Sequence, residues 1–287
     1  MRSPIKWFGG KGHMAAKIVP LLEQIQHSRY IEPFGGGASI LFAKRPVSVE
    51  VYNDVDSGLV NFFRVLCDPD LFEQFYRRVE MAPYSRELFN EARVRWRDEP
   101  DPVKRAALWF VVARQSFGGK FGSGFGTVVT ASSRGMAETC SKWISTIDSL
   151  PQVSERLRRV QIEQADWRVI LERYDTDETL FYVDPPYVSS TRSAEKYEHE
   201  INEEDHEDLV NCLLTIDGMA ILSGYASDIS VPLEQAGWKR QDWNTACFAA
   251  GRTKATGIQG NGAAKEKQAR VESVWISPRA NVQRDLF

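Results

Sequence analysis

The chain has 287 residues, 43% of them hydrophobic, with 20 glycines and 13 prolines: a globular composition, long enough for one elaborated domain or two intimate ones. A formal net charge of −3 gives no global attraction to nucleic acid, so local charge has to decide that question. No apolar run approaches a bilayer span, residues 1–7 lack the apolar stretch of a secretory signal, and the 4 scattered cysteines show neither zinc-ligand nor disulfide spacing, so a reduced cytoplasm is the expected setting.

Residues 14–26 place Ile18, Leu21, Leu22 and Ile25 on one helical face. Tyr30 to Phe34 reads as a short strand, Gly35-Gly36-Gly37 as a turn, and Ala38 to Ala43 as the start of a helix. Val47 to Tyr52 is a second strand ending in Asn53-Asp54, with a helix expected through Leu66. This strand–turn–helix–strand–acid order opens a doubly wound sheet. Residues 70–115 are helical in pattern, with Arg93, Arg95 and Arg97 on a charged face. Residues 117–130 alternate Gly and Phe, as a glycine-rich hairpin or a mobile loop. Strand patterns return at 160–163, 180–183 and 219–224, and a helix capped by Asn202 is expected near 203–214. Val271 to Ser277 alternates and is expected as an antiparallel edge or hairpin strand. The core is therefore 1–66 plus 158–287, interrupted by a mainly helical insert at 67–157.

Two stretches carry chemistry. Glycines 35–37 let the backbone turn tightly and approach a ligand, and Asp54 ends the next strand where a carboxylate can accept from ribose hydroxyls. The turn is neither G-x-G-x-x-G nor a P-loop, so alone it serves structure as well as it serves a nucleoside. The second stretch is FYVDPPYV at 181–188. Pro185 and Pro186 cannot donate to a ladder and stop the strand. The corner then offers only acceptors, the Asp184 carboxylate and backbone carbonyls, beside the flat ring of Tyr187. That set suits a planar substrate bearing an NH2 group. A rigid loop with Asp184 as a helix cap reads equally well from four residues.

K-W-F-G-G-K at 6–11, E-P-F-G-G-G at 32–37 followed by Y-N-D at 52–54, and D-P-P-Y at 184–187 together resemble the Dam-like (D12) class of DNA adenine-N6 methyltransferases. The order of the pieces also resembles that class, over about 1–66 and 158–277. The insert matches in position but lacks an obvious copy of the Arg-Tyr-Asn-rich segment of GATC readers, so a GATC target does not follow.

The resemblance implies a Rossmann-like S-adenosylmethionine-dependent sheet, with 67–157 as the DNA target-recognition module. It implies a cofactor pocket lined by Trp7, Lys11, Asp54 and Asp184, with Phe34 and the backbone of Gly35 to Gly37 beside it and Asp166-Trp167 near the adenine. Asp184 and the Pro185 carbonyl would accept the two N6 hydrogens of an adenine flipped out of duplex DNA, and Tyr187 would stack on that base. No metal is implied. Phosphate contacts are expected from the basic stretch 252–270, then from Arg114, Lys120 and Arg134, with the Phe117–Phe125 glycine-rich segment, tested at Phe121 and Phe125, entering a groove or wedging at the vacated base. Cytosine N4, RNA adenine and a protein amide present the same planar amine, and an inactive nucleic-acid-binding relative is the non-enzymatic alternative.

Overall fold

The apolar run at 180–183 lies at the centre of a seven-stranded sheet. The computed structural model describes residues 1–7, 9–187, 201–246 and 269–280; of the expected basic stretch 252–270, residues 252–268 lie outside them. In chain order a 3-10 turn at Lys11–His13 precedes α1 (Ala15–Gln24), β1 (Arg29–Glu32), α2 (Ser39–Ala43), β2 (Val49–Asn53) and α3 (Ser57–Cys67). There follow α4 (Pro69–Glu80), α5 (Arg86–Arg95), α6 (Pro102–Gln115), the short strands β3 (Ser132–Ser133) and β4 (Met136–Ala137), and α7 (Glu138–Leu157). The remainder is β5 (Gln161–Glu163), α8 (Trp167–Tyr174), β6 (Thr179–Val183), α9 (Glu203–Thr215), β7 (Met219–Gly224), α10 (Val231–Gln235), β8 (Lys239–Ala246) and β9 (Ala269–Ile276).

Among the described residues the chain divides into two units. One holds Met1–Gly10 and Gly58–Arg158; the other holds Lys11–Ser57, Arg159–Thr245 and 270–280. Residues 1–10 and 58–66, expected with the sheet, thus cluster with the helices of the middle.

The sheet runs β5-β2-β1-β6-β7-β9-β8. The first five strands are parallel, with Ile31 beside Val51 and Phe181, and Tyr182 beside Ile221. The chain builds outward from β1 through β2 and β5, then returns to β1's other side with β6 and β7. The switch point therefore falls between β1 and β6, where open α/β sheets bind ligands beyond the carboxyl ends. The glycine turn follows β1 and Asp184 follows β6, so the two stretches singled out in the sequence end adjacent strands.

Every residue of β6 is buried, which is why it reads as a continuous apolar run. Ile31, Val51, Phe181, Val183, Trp167, Leu209 and Trp275 form one core cluster around it, each large side chain contributing about 1.5–3 kcal/mol by leaving water. Beside this lies a buried polar layer: Tyr30 Oη donates to Glu32 Oε1 at 2.7 Å, and Lys44 Nζ donates to Glu50 Oε1 at 2.7 Å.

The segment Val271 to Ser277, expected as an antiparallel edge or hairpin strand, is antiparallel to β7, pairing Ile221 with Ile276, and sits beside β8, the strand before it in the chain, rather than at the edge. The edge on that side is β8, with β5 at the other; β8 is absent from the sequence reading because its first six residues, KRQDWN, are polar apart from one tryptophan. An edge strand has a solvent side that tolerates charge, so periodicity fails there. The helix expected near 203–214 forms as α9, with a capping box between Asn202 and Asp205.

In the first unit, Asp68, Ser85 and Asp101 cap α4, α5 and α6, with Pro69 and Pro102 in their first turns. Phe62 stacks on Trp109 and Phe110 with centroids 5.2 and 5.5 Å away. The Gly-Phe stretch forms a hairpin-like loop bridged at Ser116 and Phe125, with Gly118, Gly119 and Gly122 at positive φ.

Candidate active site

Lys11 stands in the turn before α1 and is 3% exposed. Its Nζ donates to Asp184 Oδ1 at 2.7 Å and to the phenol oxygen of Tyr187. The Tyr187 hydroxyl in turn donates to Glu272 Oε2 at 2.8 Å, and Glu272 lies 3.9 Å from Lys11 Nζ. One cation, two carboxylates and a phenol thus meet from three distant segments: the amino-terminal turn, the loop after β6, and β9. The Tyr187 ring lies against Tyr225 just beyond β7, with centroids 4.3 Å apart. An open cleft of about 430 Å3, its mouth included, runs beside the corner, walled by Pro185, Tyr187, His206, Leu222, Tyr225 and Trp275.

Burial shapes the charges. It pushes the Asp184 carboxyl up to about 6, against the downward pull of Lys11. Burial also pulls the Lys11 ammonium toward neutrality, but Asp184, Tyr182 and Glu272 outweigh it and hold the charge. The phenol of Tyr187 is driven well above its ordinary value by burial and by the carboxylates of Asp184 and Glu272. Lysine stays cationic, tyrosine stays a neutral donor, and Asp184 is ionised at neutral pH. Among the described residues, Asp184 Oδ2 receives no hydrogen bond, and the side chain is 16% exposed. It is a free acceptor edge at the carboxyl end of a central strand.

The glycine turn is built around Asp54. Its Oδ2 accepts Gly36 N–H at 2.9 Å and its Oδ1 accepts Asp56 N–H at 2.9 Å. Gly36 has φ of 47°, and Gly35 lies flat on the Tyr52 ring, so near that a Cβ would stand 2.2 Å from it. Asn53 fastens the neighbouring ends by donating to the carbonyls of Pro33 and Ala165 and accepting Ala165 N–H at 2.9 Å.

The family model for D12 class N6 adenine-specific DNA methyltransferases matches residues 7–232. The chain belongs to this family. It is also 25% identical over 229 residues to the type II methyltransferase M.MjaIII of Methanocaldococcus jannaschii, covering 70% of this chain and 75% of the relative.

As an adenine DNA methyltransferase, the chain acts on the planar amine that the Asp184–Tyr187 corner was expected to suit. The structure brings Lys11, Asp184, Pro185 and Tyr187 together; the Gly35–Gly37 turn follows β1, the strand beside β6, and Asp54 follows β2, the strand beyond that. Phe34 packs toward the core, its ring 6.1 Å from buried Trp167. Asp166 caps α8 by accepting Arg168 N–H at 2.8 Å. Trp7 belongs to the first unit, where its ring lies 5.9 Å from Trp109 and 6.1 Å from Phe121.

Of the expected DNA contacts, Arg134 is engaged within its own unit, donating to Ser141 Oγ at 2.9 Å and to the Ser141 carbonyl at 2.6 Å. Arg114 donates to Thr146 at 2.7 Å, and Lys120 is exposed. Phe121 packs on Trp96 and Trp109, and Phe125 on Tyr84 and Phe89; these rings anchor the glycine-rich loop and do not project from it. No helix among the described residues is long and apolar enough to cross a membrane, and no group of three or more His, Cys, Asp or Glu there could hold a metal ion.

Sequence reasoning missed Glu272 and Tyr225. A signal existed for the first: Glu272 is in phase with Val274 and Ile276, both buried, and a glutamate on a buried face requires a partner. Nothing local marks Tyr225, which reaches Tyr187 only through the pairing of β6 with β7.

Proposed function

We propose that this methyltransferase uses S-adenosylmethionine to methylate N6 of an adenine flipped out of a specific duplex DNA sequence. The carrying observation is Asp184 at the end of β6, pinned by Lys11 through one oxygen while the other receives no hydrogen bond from the described residues.

The site's chemistry fits the cofactor. A methionine ammonium, a sulfonium and ribose hydroxyls all call for acceptors, and Asp54 and Asp184 provide them at the ends of two strands that flank β1. When bound, the cofactor would supply an electrophilic methyl group, its sulfur keeping the electron pair of the bond given up to N6. Asp54 holds the glycine turn open for its ribose. Asp184 Oδ2 and the Pro185 carbonyl accept the two N6 hydrogens, drawing the nitrogen lone pair out of the ring and aiming it at the methyl group. The methylated nitrogen would then pass one proton to solvent, restoring a neutral amine. The gain comes from positioning and preorganised acceptors. Extruding the base costs a few kcal/mol, about what a stacking ring beside the cleft can offset in part.

Trp7 and Phe34 remain assigned to the cofactor side, Asp166 to its adenine, and 67–157 to target recognition, with phosphates met by Arg114, Lys120 and the basic stretch 252–270. The likeness to a type II methyltransferase supports a place beside a restriction nuclease.

The test is incubation with methyl-labelled S-adenosylmethionine and duplex DNA, RNA or protein, then identification of the labelled product. Label in N6-methyladenine of duplex DNA is expected, and the Asp184→Ala variant should fold and transfer nothing. Label confined to RNA, to protein or to cytosine would defeat the proposal. Sequencing the methylated DNA identifies the target.

A further inference from the structure

We propose that Glu272 is a positioning residue for methyl transfer, setting the Tyr187 ring and, through it, the Lys11–Asp184 pair. The inference rests on the reading of Tyr187 as the residue that stacks on the extruded adenine.

Three observations carry it. The phenol hydroxyl has a single hydrogen, and it goes to Glu272 Oε2 at 2.8 Å. The phenol oxygen also accepts from Lys11 Nζ, so the ring is fixed at its far end by two charged partners. All of this is buried: Lys11 is 3% exposed, Glu272 6% and Tyr187 9%.

A buried carboxylate is an expensive way to fill space on a strand whose same face holds Val274 and Ile276. A leucine there would pack as well, and replacing buried ion pairs by apolar groups is often neutral or stabilising. What a leucine cannot do is hold the hydroxyl. Without that acceptor, the Tyr187 hydroxyl keeps only Lys11 of its two charged partners, and Lys11 loses one of the two carboxylates it faces. The same ring walls the cleft beside Pro185, so its tilt sets the plane against which a base would lie.

The experiment compares full-length wild type with Glu272→Leu, Glu272→Gln, Tyr187→Phe and the Tyr187→Phe/Glu272→Leu double variant. Methyl transfer to duplex DNA is read as kcat and as KM for DNA and for S-adenosylmethionine, with thermal unfolding as the fold control. Glu272→Leu should lower kcat about 10- to 100-fold, the scale of a misplaced reacting group, with little change in KM for S-adenosylmethionine. Glu272→Gln, which still offers an oxygen to the phenol, should recover most of that loss. The double variant should be no worse than Tyr187→Phe alone, because both changes break one contact. Wild-type kcat in Glu272→Leu, or losses that multiply in the double variant, overturn the inference. If Glu272→Leu does not fold, Tyr187→Phe must reproduce the kcat loss and adding Glu272→Gln to it must change nothing; wild-type kcat in Tyr187→Phe overturns the inference equally. Absence of adenine methylation by the wild type would instead sink the proposed function.

Discussion

Lys11 Nζ and Asp184 Oδ1 lie 2.7 Å apart although 173 positions separate them in the chain. The pair leaves one carboxylate oxygen without a donor among the described residues and keeps a buried acid ionised at neutral pH. Removing the cation should therefore damage both the fold and the chemistry. Lys11→Met should cost about 3 kcal/mol of stability, the low end for a broken buried pair because Asp184 can protonate. It should also raise the acid limb of the pH–rate profile, since Lys11 is what lowers the Asp184 pKa. Denaturant unfolding and the rate profile check the two parts; an unmoved limb would contradict the pairing.

Burial holds the Asp184 pKa up at about 6 against a usual 3.8. The native state thus binds this proton more tightly than the unfolded state, so the ionised form costs stability as pH rises through that window. Turnover should follow the opposite course. The carboxylate is the acceptor, so methyl transfer should fall as pH drops through about 6 while DNA remains bound. Single-turnover rates between pH 5 and 8 test this on the order of half-unit steps; a flat profile would count against Asp184 as the ionised acceptor.

Gly35 admits no side chain, because a Cβ would stand 2.2 Å from the Tyr52 ring. Gly35→Ala should destabilise by about 1–3 kcal/mol through overpacking and should weaken S-adenosylmethionine binding by displacing the turn that Asp54 holds. Calorimetric binding and thermal melts measure both. Unchanged affinity in a folded variant would separate the turn from the cofactor.

Glu32 is buried and accepts from Tyr30, and burial raises its pKa to about 8, so it carries a proton at neutral pH. Glu32→Gln should therefore leave stability nearly unchanged at acid pH. Because the native pKa exceeds the ordinary 4.5, the wild type loses stability as pH rises between about 4.5 and 8, whereas the glutamine does not titrate. The variant should gain on the wild type across that window and level off above it. Parallel denaturation curves at pH 5, 7 and 9, on the order of the window's two ends and middle, check the sign.

Periodicity and punctuation are local, and local signals were enough for much of the molecule. The β6 run, the glycine turn, the Asn202 cap and the double-proline corner are each legible in a few residues, because burial on both faces, positive φ and a missing N–H leave direct marks on residue type. Strand order could be anticipated only as far as alternation of strand and helix requires it. The polar edge β8 left no mark, and β9 was legible as antiparallel but not as interior.

The sequence by itself determined the chemistry on offer: acceptors after one strand, glycines after another, and a lysine near the start. Tertiary structure decided which groups meet. Asp54 accepts the backbone of the glycine turn, Asp166 caps a helix, and Phe121 and Phe125 sit in aromatic clusters; none of these engagements shows in spacing. Only the inward placement of β9 against β7 brings Glu272 to the Tyr187 hydroxyl across 85 positions. The physical reason is that hydrogen bonds act over about 3 Å, while sequence patterns report only whether a side chain faces water or the core.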